Sequence, residues 1–565
     1  MSKIYKLLCV SLLLLFAINA SAQRKLPEDT FRIIKAYQPI LIDANKIESQ
    51  PEINDTIKLE TELEYSFINK QVPVSFEVEP ISPAKIKGEP LVKLYDGYVK
   101  AAVGNALVPF GEIYYNNNRS SKYSIGGHAS FANQNEINKI DGSDMQKAHV
   151  ELFGKRFWKQ NTFSANVGYD RHDFNYYGFY ELSEFSPNIG FNTSNLEQSY
   201  DRLNGALSLK STKQDSFNLR HHIQLNYNMI QNANNDAENN ILIDANLNQI
   251  KNSELYNLDV LVDYNKYGDF DGTTIVGLKP QINTIGEKFR ISAGLGIYAN
   301  SANETDFHFY PLAELKYNVI EDVLIPYAGV KGEVRRNNYN SLTLENPFVS
   351  NFIGLINTNE KYNVYTGIRG TLSSDISFNV SGAYVRTEDA PFYVLPASDI
   401  FNPLALSIDL FSASQYNVIY DDLSEIRLRG ELVYRLSDKL QINTLGEYFN
   451  FDTDDEQEAW HRPEIKISAS ARYDLMEKII VRSELFYWGE QYAKTDLIDM
   501  STSQLINRTT TLDPIFDANL GFEYRYTKRL SAFIQFNNIA GINYERYQNY
   551  PNQGFNVLGG LSYAF

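Results

Sequence analysis

The residues able to do chemistry are few and scattered. Seven histidines occur: His128, His149, His172, His221, His222, His308 and His461. None lies at the spacing of a metal or catalytic motif. His221 and His222 are neighbours, and neighbouring side chains on a strand point to opposite faces, so the two cannot share one metal. No nucleophile is set beside a base in a recognisable pattern, which leaves covalent catalysis without support. The densest acidic stretch is "DTDDEQE" (Asp452 to Glu458). Asp452, Asp454 and Asp455 are oxygen ligands of the kind a hard cation such as Ca²⁺ takes. The stretch lacks the turn glycine and the remaining positions of a calcium loop, so a solvated acidic loop tip is the simpler reading. The expectation is a protein that is not an enzyme and carries no cofactor.

The charge narrows the partners. The formal net charge is -17. Removing residues 1–22, with two lysines and no acid, takes it to -19. Nucleic-acid binding needs basic surface and is not expected.

The amino terminus sets the compartment. Lys3 and Lys6 precede the apolar run "LLCVSLLLLFAINA", and Ala20-Ser21-Ala22 follows. A basic start, a short apolar core and a small-residue site describe a secretory signal peptide, with cleavage expected between Ala22 and Gln23. The run is shorter than the roughly 20 residues of a spanning helix. Cys9, the only cysteine, lies inside it, so the mature chain is expected to lack disulfides and thiolate metal sites. Residues 23–90 hold seven of the 19 prolines, Pro27, Pro39, Pro51, Pro73, Pro80, Pro83 and Pro90. Such spacing breaks helices and central strands and predicts an extended arm.

From Leu91 the pattern has period two. In "FDANLGFEYRY" the apolar residues Phe516, Ala518, Leu520, Phe522 and Tyr524 alternate with Asp517, Asn519, Gly521, Glu523 and Arg525. In "EIKISASARYD" Ile465, Ile467 and Tyr473 oppose Lys466, Arg472 and Asp474; in "EIRLRGELVYRL" Ile426, Leu428 and Leu432 oppose Arg427, Arg429, Glu431 and Arg435. These runs approach the 9–11 residues a tilted strand needs to cross a bilayer. Their connections alternate. Short ones fall at 320–323, 372–375, 435–440, 474–478 and 526–529, and long ones at 172–200, 337–360, 388–423, 493–512 and 541–554. Short turns at one rim and long loops at the other describe an outer-membrane barrel. Aromatics at 13% with mean hydropathy of -0.35 agree, because the lipid face is apolar and the lumen polar. The expected fold is all-β: a closed antiparallel transmembrane barrel of about 22 strands over 91–565. Its place is the outer membrane of a Gram-negative bacterium, in contact with outer-membrane lipids.

The last strand, "VLGGLSYAF", places Leu561, Tyr563 and Phe565 on one face. In a closed barrel this strand pairs with the first, and its terminal aromatic is the expected assembly signal. The charges Arg427, Arg429, Glu431, Lys466, Arg472, Asp517, Glu523 and Arg525 are expected to line the lumen, with Arg435, Asp474, Arg482 and Glu484. Both signs occur, which suits cross-lumen ladders better than a one-sign selective pore. Loop 388–423 is apolar, with Phe392, Tyr393, Phe401, Leu404, Leu406, Ile408, Leu410 and Phe411. It is expected to fold into the mouth or to dock a partner.

The stretch "RYTKRLSAFIQFNNIAGINYERYQNYPNQGFNVLGGLSYAF" (Arg525 to Phe565) resembles the last strands of TonB-dependent receptor barrels. "GNALVPFGEIYYNNNRSSKYSIGGHASF" (Gly104 to Phe131) is similar to their early strands. "DTFRIIKAYQP" (Asp29 to Pro39) shares the acidic-then-aliphatic pattern of a TonB box, which adds a strand to TonB. The resemblance implies a transport-related barrel and TonB, or another outer-membrane or periplasmic protein, as partner. One departure stands out: that family has a much longer folded plug ahead of the barrel than 23–90 can form. The expected lumen is therefore closed by the arm and the loops. The competing readings are a non-transporting subunit of an outer-membrane assembly or export complex, and an open porin.

Overall fold

The computed structural model describes residues 94–117, 120–137, 139–178, 196–212, 219–302, 304–320, 323–398, 414–437, 439–499 and 504–565. The expected signal peptide with Ala22 and Gln23, the expected arm 23–90 with its TonB-box-like stretch, and Phe401 to Phe411 lie outside the described residues.

The strands follow in chain order: β1 (Gly97–Gly104), β2 (Leu107–Asn116), β3 (Tyr123–Gln134), β4 (Met145–Phe157), β5 (Asn161–Asn175), β6 (Glu197–Ser211), β7 (Leu219–Asn232), β8 (Ala237–Lys251), β9 (Glu254–Tyr267), β10 (Thr273–Ile285), β11 (Phe289–Ser301), β12 (Thr305–Tyr317) and β13 (Ile325–Arg335). After a short helix, α1 (Tyr339–Glu345), come β14 (Thr358–Ser373), β15 (Ile376–Ser398), β16 (Asn417–Leu436), β17 (Leu440–Thr453), β18 (Ile465–Leu475) and β19 (Ile479–Trp488). The chain ends with β20 (Gln491–Asp499), β21 (Gln504–Leu512), β22 (Ile515–Arg525), β23 (Leu530–Asn537), β24 (Glu545–Tyr547), β25 (Tyr550–Pro551) and β26 (Asn556–Ala564).

Each barrel strand pairs antiparallel with the next, and β26 closes the ring on β1 from Tyr98↔Ala564 to Gly104↔Leu558. β20 and β21 stand outside that ring, because β19 pairs directly with β22; β24 and β25 form their own small sheet. The ring is β1–β19, β22, β23 and β26, which makes 22 strands. Closure satisfies the backbone groups of what would otherwise be two bare edges. Phe565 sits in that closure: its N–H donates to the Gly97 carbonyl (2.9 Å), and its own carbonyl accepts from Asp96 (2.9 Å) and Gly97 (3.0 Å). Its ring lies where a Cβ on Gly97 would be.

The two faces separate as the alternation requires. Ile426, Leu428, Ile467, Phe522, Leu561 and Tyr563 are exposed, as befits a face meant for lipid rather than water. The short turns fall at one rim, for example after β16, β18 and β22. Two expected loops differ. Positions 388–423 are not one loop: β15 continues to Ser398 and β16 starts at Asn417, because the register holds up to Val394↔Asn417. Positions 493–512 form the hairpin β20–β21, and β20 adds in parallel to the top of β15 at Leu395↔Thr495. Phe392, Tyr393, Val394 and Leu395 are buried there as side chains of β15.

Candidate functional site: a cap across the barrel mouth

The long-loop rim is bridged by a packed cap. Its centre is the connection 336–357 between β13 and β14. Asn338 caps α1 by accepting from the Ser341 N–H (2.8 Å), while Ser341 Oγ accepts from the Asn338 N–H (3.0 Å). Pro347 follows the helix and stops it. The short helix turns the chain so that Tyr339, Leu342, Phe348, Val349 and Ile353 are buried together.

What they meet comes from far around the ring. Phe174, Tyr176, Tyr177, Leu196 and Tyr200 come from β5, β6 and their connection; Ile230 and Tyr267 come from β7 and β9; Tyr416, Tyr547 and Tyr550 come from the β15–β16 and β23–β26 connections. Each tyrosine buries its ring and spends its hydroxyl on a backbone or amide partner, as buried tyrosines must. Tyr200 donates to the Pro347 carbonyl (2.8 Å), Tyr267 to the Asn351 carbonyl (2.6 Å) and Tyr339 to Asn351 Oδ1 (2.7 Å). Tyr547 donates to the Glu345 carbonyl (2.9 Å) and Tyr416 to the Gln548 carbonyl (2.7 Å). Arg202 on β6 reaches Asn340 (3.0 Å) and Thr343 (3.1 Å). The Glu238 carboxylate on β8 takes the free N–H groups of Tyr339 (2.7 Å) and Asn340 (3.0 Å) in the first turn of α1. Burial holds the Tyr339 and Tyr416 hydroxyls well above their ordinary range, so they remain donors.

His461, between β17 and β18, is half-buried at the edge of the same cap. Its Nδ1 lies 3.1 Å from the Tyr393 carbonyl, and its Nε2 accepts from the Gln548 N–H (3.4 Å). Burial pushes it down to about 4, which makes it neutral, with the proton on Nδ1.

The acidic stretch is spoken for. Asp454 pairs with Arg386 (2.6 Å), and Glu456 with Lys494 (2.8 Å). The N–H groups of Asp455 (3.1 Å) and Glu456 (2.8 Å) donate to Asp421. Asp452 sits in β17 opposite Ser424. Among the described residues no group of three or more acidic, histidine or cysteine side chains is placed to hold a metal, so Asp452, Asp454 and Asp455 are not brought together as ligands.

The charges expected in the lumen lie opposite the exposed apolar face, and most of them pair locally. Arg427 meets Glu425 (2.6 Å); Arg429 meets Glu431 (2.7 Å) and Glu447 (3.2 Å). Glu523 takes both Arg482 (2.9 Å) and Arg525 (3.3 Å). Lys466 lies over the Trp488 ring (4.8 Å), and Asp517 accepts from Tyr544 (2.8 Å). Arg472 faces Arg482 across the ladder. Sequence reasoning missed a second group: His128 bonds Glu112 (3.0 Å), His149 bonds Asp170 (2.6 Å), and the two rings are 5.1 Å apart. These residues come from four successive strands, so no local motif marks them. Only matched parity on β2–β5 could have shown it.

A scan of protein-family models and a search of curated proteins give no match. Solved structures do match. The chain is similar to the ferripyoverdine receptor of the outer membrane of Pseudomonas aeruginosa, at 11% identity and TM-score 0.60, over 83% of this chain and 72% of that one. It is similar to a mutant of the ferric enterobactin receptor of the same organism (12%, TM-score 0.58, 83% and 80%). It is also similar to the FrpB iron transporter from Neisseria meningitidis (11%, TM-score 0.61, 84% and 83%). At these identities the likeness is one of fold. The molecule is an outer-membrane β-barrel with the fold of TonB-dependent receptors.

Proposed function

We propose that this chain is a transport-related outer-membrane barrel whose mouth is closed at rest by its own loops. A ring of 22 strands encloses more space than wall side chains fill, so it must be plugged or open. The observation that carries the reading is the cap: one connection, 336–357, is bonded to β6, β8, β9 and the β23–β26 connection at once. Such a cap argues against an open porin. The paired charges Arg427, Arg429, Glu431, Glu523 and Arg525 serve in this reading to hold and fill the lumen wall, and Leu561, Tyr563 and Phe565 label the chain for insertion. The arm 23–90 is the proposed link to TonB or another periplasmic protein.

The fold's neighbours include receptors for ferripyoverdine and ferric enterobactin, which makes ferric siderophores the first cargo to test. Cells with and without the chain are compared for accumulation of a panel of labelled ferric siderophores. Loss of uptake of one member on deletion supports transport. Equal uptake of all members, with the chain co-purifying stoichiometrically with other outer-membrane proteins, supports a non-transporting subunit instead. That second reading is favoured by one feature of the wall, described next.

A further inference from the structure

The wall is joined weakly at one seam. β12 and β13 pair only over Ala313↔Val330, Glu314↔Gly329, Leu315↔Ala328 and Lys316↔Tyr327, whereas β12 pairs with β11 along its whole length. Above Ala313 the next strand has left. β13 turns across the inner face of its predecessors, so that Glu333 receives Lys279 of β10 (3.3 Å). Val334 packs with Ile275, Tyr298 and Tyr310. Arg336 is anchored on Asp263 (3.2 Å) and Asn357 on Asn300 (2.8 Å). The bend falls at Gly332, where the β13–β14 register shifts and a Cβ would meet Tyr310 and the Glu360 carbonyl. The seam is therefore held open by the same contacts that carry connection 336–357 inward.

This leaves a strand edge in the barrel wall. The Asn318 N–H donates to the Lys288 carbonyl (2.6 Å), and at the other end of the hairpin the Ala302 N–H donates to the Glu304 carbonyl (3.2 Å). In this antiparallel pair the even-numbered residues of β12 thus bond to β11, and the odd-numbered ones point at the seam. The N–H and carbonyl groups of Thr305, Phe307 and Phe309 and the carbonyl of Pro311 have no ladder partner among the described residues. Pro311 has no N–H to lose, which suits it to an edge. Counting up from the turn after Tyr317, a bilayer-crossing stretch of about 9–11 residues includes Phe309 and Phe307. At that depth water is not there to serve the open groups. Phe307 (66%) and Phe309 (63%) are exposed beside them on the lipid face.

We propose that the upper edge of β12, from Thr305 to Pro311, is a strand-addition site for a different outer-membrane protein. The occupant is an extended strand, apolar on its lipid side, whose backbone completes the ladder. A second copy does not fit. Two copies inserted the same way round present β12 in parallel at equal depth. A two-fold axis would then set each residue against itself, whereas a parallel ladder needs bonding residues opposite non-bonding ones. The inference stands apart from the transport reading, since neither cargo nor conductance enters it.

The test places a photo-crosslinking phenylalanine analogue at Phe307 in the full chain, expressed at native level in its own outer membrane. A control probe replaces Leu428, which is lipid-facing on β16 with both neighbours in place. The expected result is an adduct from 307, and none from 428, with a strand of one other outer-membrane protein located by peptide mapping. Phe309→Pro in the same chain removes a seam N–H without touching the β11 ladder, and should cut the adduct roughly tenfold, while Phe309→Ala leaves most of it. Heat-modifiable migration on gels checks that each variant is a folded barrel. An adduct within the chain itself or with a second copy overturns the proposal. So does equal labelling from 428, or a folded Phe309→Pro variant that labels as well as Phe309→Ala.

Discussion

Phe348 and Tyr550 stack with ring centroids 3.5 Å apart and planes 17° apart, although one belongs to the β13–β14 connection and the other to the β23–β26 connection. The pair ties two sides of the mouth together. Tyr177 meets both rings edge-on, at 5.6 Å and 4.9 Å. Phe348→Ala should cost the cap about 3–5 kcal/mol while leaving the wall ladders intact. Limited proteolysis of purified protein is the check: cleavage within 336–357 should appear in the variant before the barrel itself unfolds.

Glu238 gives a prediction of a different kind. Its carboxylate is the acceptor for two backbone donors of α1, and it also takes Asn265 Nδ2 (3.2 Å). Glu238→Ala leaves buried donors without partners, at about 1–3 kcal/mol each. Glu238→Gln keeps one acceptor oxygen and should fall between. Hydrogen exchange of the Tyr339 and Asn340 amides reads this directly, with faster exchange expected in the order wild type, Gln, Ala.

The cap should loosen in acid through His461. Its folded value of about 4 lies below the ordinary 6.5, so the open state binds the proton more readily. Stability from this group is full above about pH 6.5, falls as pH drops towards 4, and then levels off. Protonation would also turn Nε2 into a donor facing the Gln548 N–H, beside Arg462 and the rings of Tyr416 and Tyr547. Cap proteolysis at pH 7 and pH 4.5 should differ clearly in the wild type and much less in His461→Gln.

Divalent cations should not matter to the acidic stretch. Arg386 and Lys494 already neutralise Asp454 and Glu456. EDTA added to the purified protein is expected to leave the protection of 454–464 unchanged, whereas Arg386→Ala should lower it.

Phe565→Asp is expected to reduce the heat-modifiable, folded fraction in the outer membrane several-fold, because a charge replaces a lipid-facing aromatic at the closing strand. Gly97→Val should act similarly, since its side chain would need the space of the Phe565 ring.

Much of the wall was legible because its physics is local. Alternation at 426–435, 465–474 and 516–525 marks strands by itself, and the short turns at 437–439, 476–478 and 526–529 fix which rim is which. The strand number followed from those two signals. The cap was not legible, because its residues meet only after the ring closes: Tyr200 with Pro347, Tyr267 with Asn351. The apolar character of 388–423 points to folding inward or docking, but not to the extension of β15 to Ser398 or to the pairing of β20 along its top. The seam left one faint mark, Pro311 inside the alternating run "TDFHFYPLAELKY". The inward bend at Gly332 that gives it meaning depends on partners as distant as Lys279.

Whether the barrel closes itself is read by conductance of the purified full-length chain in planar bilayers. A self-closed barrel is silent at rest and shows stepwise openings once 338–355 is replaced by a short Gly-Ser linker and 23–90 is removed. Large, steady channels from the unaltered chain would contradict it.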